Sequence, residues 1–267
     1  MSQNKTLLVL IFKDKQSEFL PFVIEGNVVG YIHNRFVEHL RGFSDVFVFP
    51  KDGGPFADCV SLHPLLKTAD ERTSAIGYVI EHLGEEHIPG IRNELYPVKS
   101  SFDKPVFFSL ERAAAPYFGI KVYGIHMNGY VELDGEKHLW IGKRSHSKST
   151  YPGMLDHLVA GGLPHGIDCQ ENVVKECEEE AGIPRAKPVG AVSYMDIDGY
   201  RYKRDVLFCY DLILPESFVP KNEGVPFKPI LEFYSPFLWC RDHPLYISPE
   251  NHGYLNLLRS LREGDCS

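Results

Sequence analysis

No apolar run in this 267-residue chain approaches the roughly 20 residues that a helix needs to cross a bilayer, so no membrane role is expected. The opening run Leu7–Phe12 is cut at once by Lys13, too short for a signal peptide, and reads as a buried strand or helix. Six cysteines are present (Cys59, Cys169, Cys177, Cys209, Cys240 and Cys266), and none forms a close CxxC pair. That pattern argues against a disulfide framework or a zinc site and for reduced thiols, hence an expected cytoplasmic location. Basic residues are outnumbered, 28 against 36 acidic, for a net charge of -8. Nucleic-acid backbone binders carry a basic face, so no nucleic-acid partner is expected. Internal repeats and low-complexity segments are also absent.

What remains is an ordinary globular composition, 43% hydrophobic and 24% charged, long enough for one large domain or two modest ones. Strand patterning and a Gly26-Asn27 turn point to a hairpin within Pro21–Ile32. A short helix is expected over Phe36–Leu40 and a strand over Asp45–Phe49. Thr68 or Asp70 caps a longer helix, whose Ile76, Val79, Ile80 and Leu83 recur at helical spacing before Gly84. Strands are expected at Arg92–Tyr96 and Phe107–Leu110, then a linker or domain seam over Glu111–Pro116. Glu94, Arg92 and Asp103 are isolated charges that read as structural, and this half carries no catalytic cluster.

After Phe118 the pattern changes to three extended runs, Ile120–Met127, Tyr130–Leu133 and His138–Ile141, with Asp134-Gly135 turning between the last two. A second hairpin is expected from Val189–Asp196 and Arg201–Leu214 around Asp198-Gly199. Strands on both sides of one strong helix give an α+β class with a mixed sheet. The division expected is an N-terminal α+β domain over residues 1–116, a lid or specificity element, and a second domain over 117–267.

The chemistry is concentrated in Gly161-Gly162-Leu163-Pro164-His165-Gly166 and the helix after it. Asp168 caps that helix, Glu171 completes a capping box, and Gly182 with Pro184 ends it. Val173, Val174, Cys177 and Ala181 form one stripe, while Glu176, Glu179 and Glu180 share another face at offsets of three and four. Carboxylates so placed repel, and become useful when hard cations lie between them and a diphosphate. A glutamate-rich solvated face is the bland alternative. Gly161, Gly162 and Gly166 let the backbone pass close to metals and phosphates.

The stretch Gly161–Ile183 resembles the Nudix box, with Ile167 in place of its first glutamate and Lys175 in place of its arginine. Lysine keeps the charge without the guanidinium fork. Trp140–Ser145, Lys148, Tyr151–Asp156, Glu111–Ile120 and Tyr123–Tyr130 further resemble the two-domain, thiamine-pyrophosphokinase-related Nudix hydrolases of fungi and plants. The resemblance implies a Nudix α/β/α sandwich behind a smaller α+β domain. It also implies Mg²⁺-dependent hydrolysis of thiamine diphosphate, or of its oxo and oxy analogues, to the monophosphate and inorganic phosphate, with Mn²⁺ as the alternative ion. Glu176, Glu179 and Glu180 would hold the metal, with the backbone at Ala160 as a further oxygen ligand. Glu179 is the first choice of base, followed by Glu176. Lys143, Arg144 and Lys148 form a basic cluster suited to phosphate oxygens, Arg144 foremost. His126, His146, His157 and His165 lack a metal-ligand pattern, His157 and His165 reading as loop or packing residues. Tyr123, Trp140, Tyr151 and Tyr194 read first as sheet-core aromatics and second as stacking surfaces for a cationic ring.

Beyond Lys221 the chain departs from that family until Asn251–Leu255. The partner expected is a small-molecule diphosphate. The alternatives are a Nudix pyrophosphatase acting on a nucleoside diphosphate derivative, and a Nudix-fold binding protein with impaired turnover.

Overall fold

The computed structural model describes residues 17–49, 58–133, 136–140, 142–143, 146, 153, 155–156, 158–166 and 187–218. The chain divides into two compact units, one formed by Met1–Val122 with Met195–Arg204, the other by Tyr123–Tyr194 with Asp205–Ser267. Both sheets and helices occur, so the class is mixed α+β.

In the first unit, β1 (Phe19–Ile24) and β2 (Asn27–His33) form an antiparallel hairpin. Its turn is Glu25-Gly26, one residue earlier than expected, and both residues have positive φ, 50° and 75°. A two-residue turn of that hand matches the twist of the strands it joins. Helix α1 (Asn34–Leu40) follows directly, capped by His33, whose Nδ1 accepts from the Arg35 N–H while Nε2 pairs with Glu18. β3 (Phe47–Val48) and β4 (Val60–Leu62) complete a sheet of order β2-β1-β4-β3, in which only β1 and β4 run parallel. The strand expected over Asp45–Phe49 is thus only two residues long.

Helix α2 (Ala69–His87) starts where the capping signal places it. Thr68 Oγ1 accepts from the Glu71 N–H, and the Glu71 carboxylate accepts from the Thr68 N–H. Gly84 does not end it: the backbone kinks there at φ 59° and the helix resumes to His87. Arg72 is buried, yet its guanidinium reaches the Leu66 and Lys67 carbonyls and the Glu25 carboxylate, so the charge is paired. β5 (Leu95–Val98) and β6 (Phe108–Glu111) form a hairpin, each shifted toward the C-terminus of the expected run. Glu94 forms an ion pair with Arg112 at 2.8 Å, the Arg92 N–H donates to Glu111, and Asp103 lies 3.5 Å from Lys104. These charges are therefore structural, though not isolated.

The segment expected as a linker is core. Glu111 ends β6, Arg112–Ala114 make a single 3-10 turn, and Ala114, Ala115 and Phe118 are buried with Phe22, Phe36 and Phe47. The alanines are small side chains enclosed in this core, which composition alone reads as loose chain. The Met195–Arg204 piece belongs to this unit: Tyr202 N–H donates to the Pro116 carbonyl, and Arg204 lies 4.9 Å over the Tyr31 ring while donating to Gly119 O.

The second unit is built on β7 (Lys121–Leu133), a single strand where two runs are expected. β8 (Glu136–Trp140) returns beside it in register Leu133↔Glu136, which fits the two-residue turn expected at Asp134-Gly135. β9 (Gly142–Lys143) pairs with β10 (Leu155–Asp156), and β11 (Val159–Gly162), β12 (Lys187–Asp198) and β13 (Arg201–Ile213) complete the main sheet in the order β11-β7-β13-β12, with β8 on β7. At Gly129 of β7 the missing side chain leaves room for two leucines: an added methyl would lie 2.8 Å from the Leu214 side chain and overlap that of Leu158. Alternation puts Ile125, Met127 and Val131 with Leu158, Val159, Leu212 and Leu214 in the core. Tyr123 stacks on Phe208, and Trp140 meets Phe218 edge to face, the sheet-core role expected of both. The helix expected at Asp168–Ala181 lies outside the described residues, as does Tyr151; for Tyr194 only the backbone is described.

Candidate functional site

The glycine loop grows out of an edge of the sheet. β11 runs antiparallel to β7 with Val159 opposite Met127, Ala160 opposite His126, Gly161 opposite Ile125 and Gly162 opposite Gly124. A Cβ on Gly124 would lie 2.9 Å from the Gly161 carbonyl oxygen, so the two strands meet at a separation only glycine permits. Leu163 is buried and its N–H donates to the Tyr123 carbonyl at 2.8 Å, which fixes the exit of the strand. His165 and Gly166 then form an exposed turn, with Gly166 at φ 90° and nothing near its missing side chain. Gly166 is thus required by backbone angle, Gly124 by close approach.

Of the residues expected in the site, Ala160, Gly161, Gly162 and Gly166 are brought together on this strand and turn. Lys143 is placed only by its backbone, opposite Leu155 in the β9–β10 pair, four residues ahead of β11. The basic run therefore starts beside the chain that leads into the glycine loop. Arg144, Lys148, Glu176, Glu179 and Glu180 lie outside the described residues, as does His157. His126 is half-buried beside Ala160, His165 is exposed, and His146 packs its ring on Gly153, whose φ is 73°. Among the described residues no cluster of three or more His, Cys, Asp or Glu could hold a metal.

One polar feature near the loop was missed in reading the sequence. On the face opposite the core, Asn128 of β7 donates from Nδ2 to Asp211 Oδ1 of β13 at 3.1 Å. Asn128 is 1% exposed and Asp211 8%. Asn128-Gly129 reads as a break between strands, which hid the first partner. Asp211 was legible as a lone carboxylate in the apolar run Val206–Leu214. Cys209 lies on the same face, its thiol pushed up to about 11 by burial and, secondarily, by the Asp211 charge.

Residues 4–122 match a family described as a domain of unknown function (DUF4743). Nudix hydrolase 20, chloroplastic, of Arabidopsis thaliana is 57% identical over 285 residues, covering 95% of this chain and 75% of that protein. Nudix hydrolase 24, chloroplastic, of the same plant is 55% identical over 280 residues, with the same coverage. Both aligned lengths exceed the 267 residues of this chain, so the alignments open gaps in it. Among solved structures, the Caenorhabditis elegans Ap4A hydrolase is 13% identical, with a TM-score of 0.37, covering 54% of this chain and 100% of that one. The two plant names overturn the cytoplasmic expectation: free thiols do not separate one reducing compartment from another.

Proposed function

The chain belongs to the Nudix hydrolase family, and on that premise we propose that it hydrolyses thiamine diphosphate, or its oxo and oxy analogues, to the monophosphate and inorganic phosphate. It is a hydrolase of diphosphate bonds. The observation that carries the finer reading is the run of segments around the box, from Glu111–Ile120 through Tyr123–Tyr130 to Tyr151–Asp156, which resemble the thiamine-related subfamily. Residues 1–116 then act as lid or specificity wall. The chloroplastic names of the two relatives point to the plastid as the place of action.

Nudix hydrolases generally act with divalent metal ions, and the donor set here fits one. Glu176, Glu179 and Glu180 supply hard carboxylate oxygens, and the Ala160 carbonyl supplies a backbone oxygen, which suits Mg²⁺ or Mn²⁺. When bound, such an ion neutralises the diphosphate and lowers the pKa of water. Lys143, Arg144 and Lys148 hold the phosphate oxygens and set the diphosphate against the glycine loop. Glu179 takes a proton from water attacking the terminal phosphorus, with Glu176 as the alternative base. The bridging P–O bond breaks and thiamine monophosphate leaves with the bridging oxygen.

Replacing Glu179 with Gln tests this assignment, because it keeps the shape and removes the basic oxygen. Turnover is expected to fall about 100-fold or more, with the protein still folded. Undiminished turnover would remove Glu179 from the role. Ile167, standing where the box carries glutamate, favours the second reading, a Nudix-fold binding protein with impaired turnover. That reading requires substrate binding without phosphate release from the unmodified protein.

A further inference from the structure

Asp211 carries a carboxylate on a strand whose neighbours are apolar, and Asn128 is its hydrogen-bond partner. An ionised carboxylate has about four acceptor positions over two oxygens. One neutral amide N–H occupies one of them, on Oδ1, and Oδ2 has no partner among the described residues. No described basic side chain forms an ion pair with Asp211. A carboxylate 8% exposed with so little compensation is costly to keep, and a hydrophobic residue would serve a sheet face better.

Its position gives a reason for keeping it. Ala160, Gly162, Gly124 and His126 share the sheet face of Asn128 and Asp211, since residues opposite one another across strands point the same way. Apart from His126, the β11 and β7 positions nearest the glycine loop carry nothing larger than a methyl, and Leu207 lies against Gly124. Strand rise and spacing put Asn128 roughly 8 Å and Asp211 roughly 12 Å from Ala160, Cα to Cα. Those separations match a ligand with its diphosphate at the glycine loop and its ring further along the sheet.

We propose that Asp211, held by Asn128, is a specificity-determining acceptor for an N–H donor on the heteroaromatic part of the substrate. An ionised carboxylate accepts and never donates, so the complementary group is an amine or a ring N–H. With Oδ1 fixed by Asn128, Oδ2 is presented to the ligand in one orientation. Asn128 is the positioning residue and Asp211 the contact. The inference rests on the thiamine reading above, in which the exocyclic amine of the aminopyrimidine is the donor.

The test compares thiamine diphosphate with its deamino analogue, in which hydrogen replaces that amine, in the unmodified protein and in Asp211→Asn. The substitution keeps shape and changes the acceptor into a group that also donates. In the variant, kcat/KM for the amine substrate is expected to fall at least about tenfold through KM, with kcat nearly unchanged, while the deamino analogue, which has no N–H to give, is unaffected or improved. An equal fall for both substrates, or no change in their ratio, overturns the inference and marks the pair as structural. If Asp211→Asn does not fold, Asn128→Ser is read in the same way, and collapse of both variants also overturns it. Loss of the proposed function is a separate outcome. A wild-type protein active on ADP-ribose and silent on both thiamine compounds, or silent on all of them, removes that reading and the inference together. A wild-type protein active on thiamine diphosphate, with an unchanged ratio in Asp211→Asn, removes the inference alone.

Discussion

Replacing Gly30 with alanine would force two backbones apart. Gly30 lies in β2 opposite Phe22, and an added Cβ would overlap the Phe118 carbonyl oxygen and lie 3.2 Å from the Gly119 carbonyl carbon. Neither obstacle is a side chain that can rotate away. Gly119 is itself at φ 55°, and a Cβ there would lie 2.8 Å from the Tyr31 nitrogen, so the approach is tight from both sides. Relief means drawing the Pro116–Ile120 turn off β2, which gives up the 3.0 Å bond from Tyr31 N–H to Phe118 O and disturbs Phe118, a fully buried core ring. Overpacking costs about 1–3 kcal/mol and the lost hydrogen bond about 1, so Gly30→Ala should destabilise by about 2–4 kcal/mol. Gly77 provides the opposite sign. It is exposed in the interior of α2 with nothing within 4 Å of its missing Cβ, so Gly77→Ala should stabilise by about 0.5–1 kcal/mol. Urea titrations followed by far-ultraviolet circular dichroism measure both shifts. A Gly30→Ala midpoint within about 0.5 kcal/mol of wild type would refute the reasoning.

Thr68→Ala should cost about 1 kcal/mol by removing the cap of α2, and an unchanged urea midpoint would contradict the cap's energetic role. Burial raises Tyr117, Tyr202 and Cys209, the last to about 11, so the fold holds these protons at a pH where the unfolded chain has released them. Their contribution to stability is complete below the ordinary thiol value of 9.0 and is lost as pH rises through the folded values. The melting midpoint should therefore fall between about pH 9 and 11, and Cys209→Ser should flatten that fall; a midpoint constant across the range counts against it.

Much of the first unit was legible because its signals are local. Thr68, one of the two caps the sequence allows, starts α2, and Ile76, Val79, Ile80 and Leu83 form its buried face as their spacing implies. What failed was decided by tertiary contact. Gly84 reads as a stop, yet the helix resumes after the kink. Glu111–Pro116 reads as a seam, yet Ala114 and Ala115 pack in the core with residues distant in sequence, such as Phe22 and Phe36. Asn128-Gly129 reads as a break, yet β7 runs straight through it and Asn128 donates to Asp211, more than eighty residues away. In the candidate site, Gly166 takes a positive φ that favours glycine, while the close approach is made by Gly124, a strand glycine that the sequence did not single out. The Asn128–Asp211 pair was not legible, since one partner was disguised as a turn and the other looked like a solitary charge in a strand.

Phosphate release in the presence of Mg²⁺ tests the central claim most directly, with thiamine diphosphate and its oxy analogue assayed beside ADP-ribose and NADH. Preferential, Mg²⁺-dependent release from the thiamine compounds is the expected result. Release confined to ADP-ribose or NADH would contradict the substrate, and silence on all four from folded protein would contradict turnover itself.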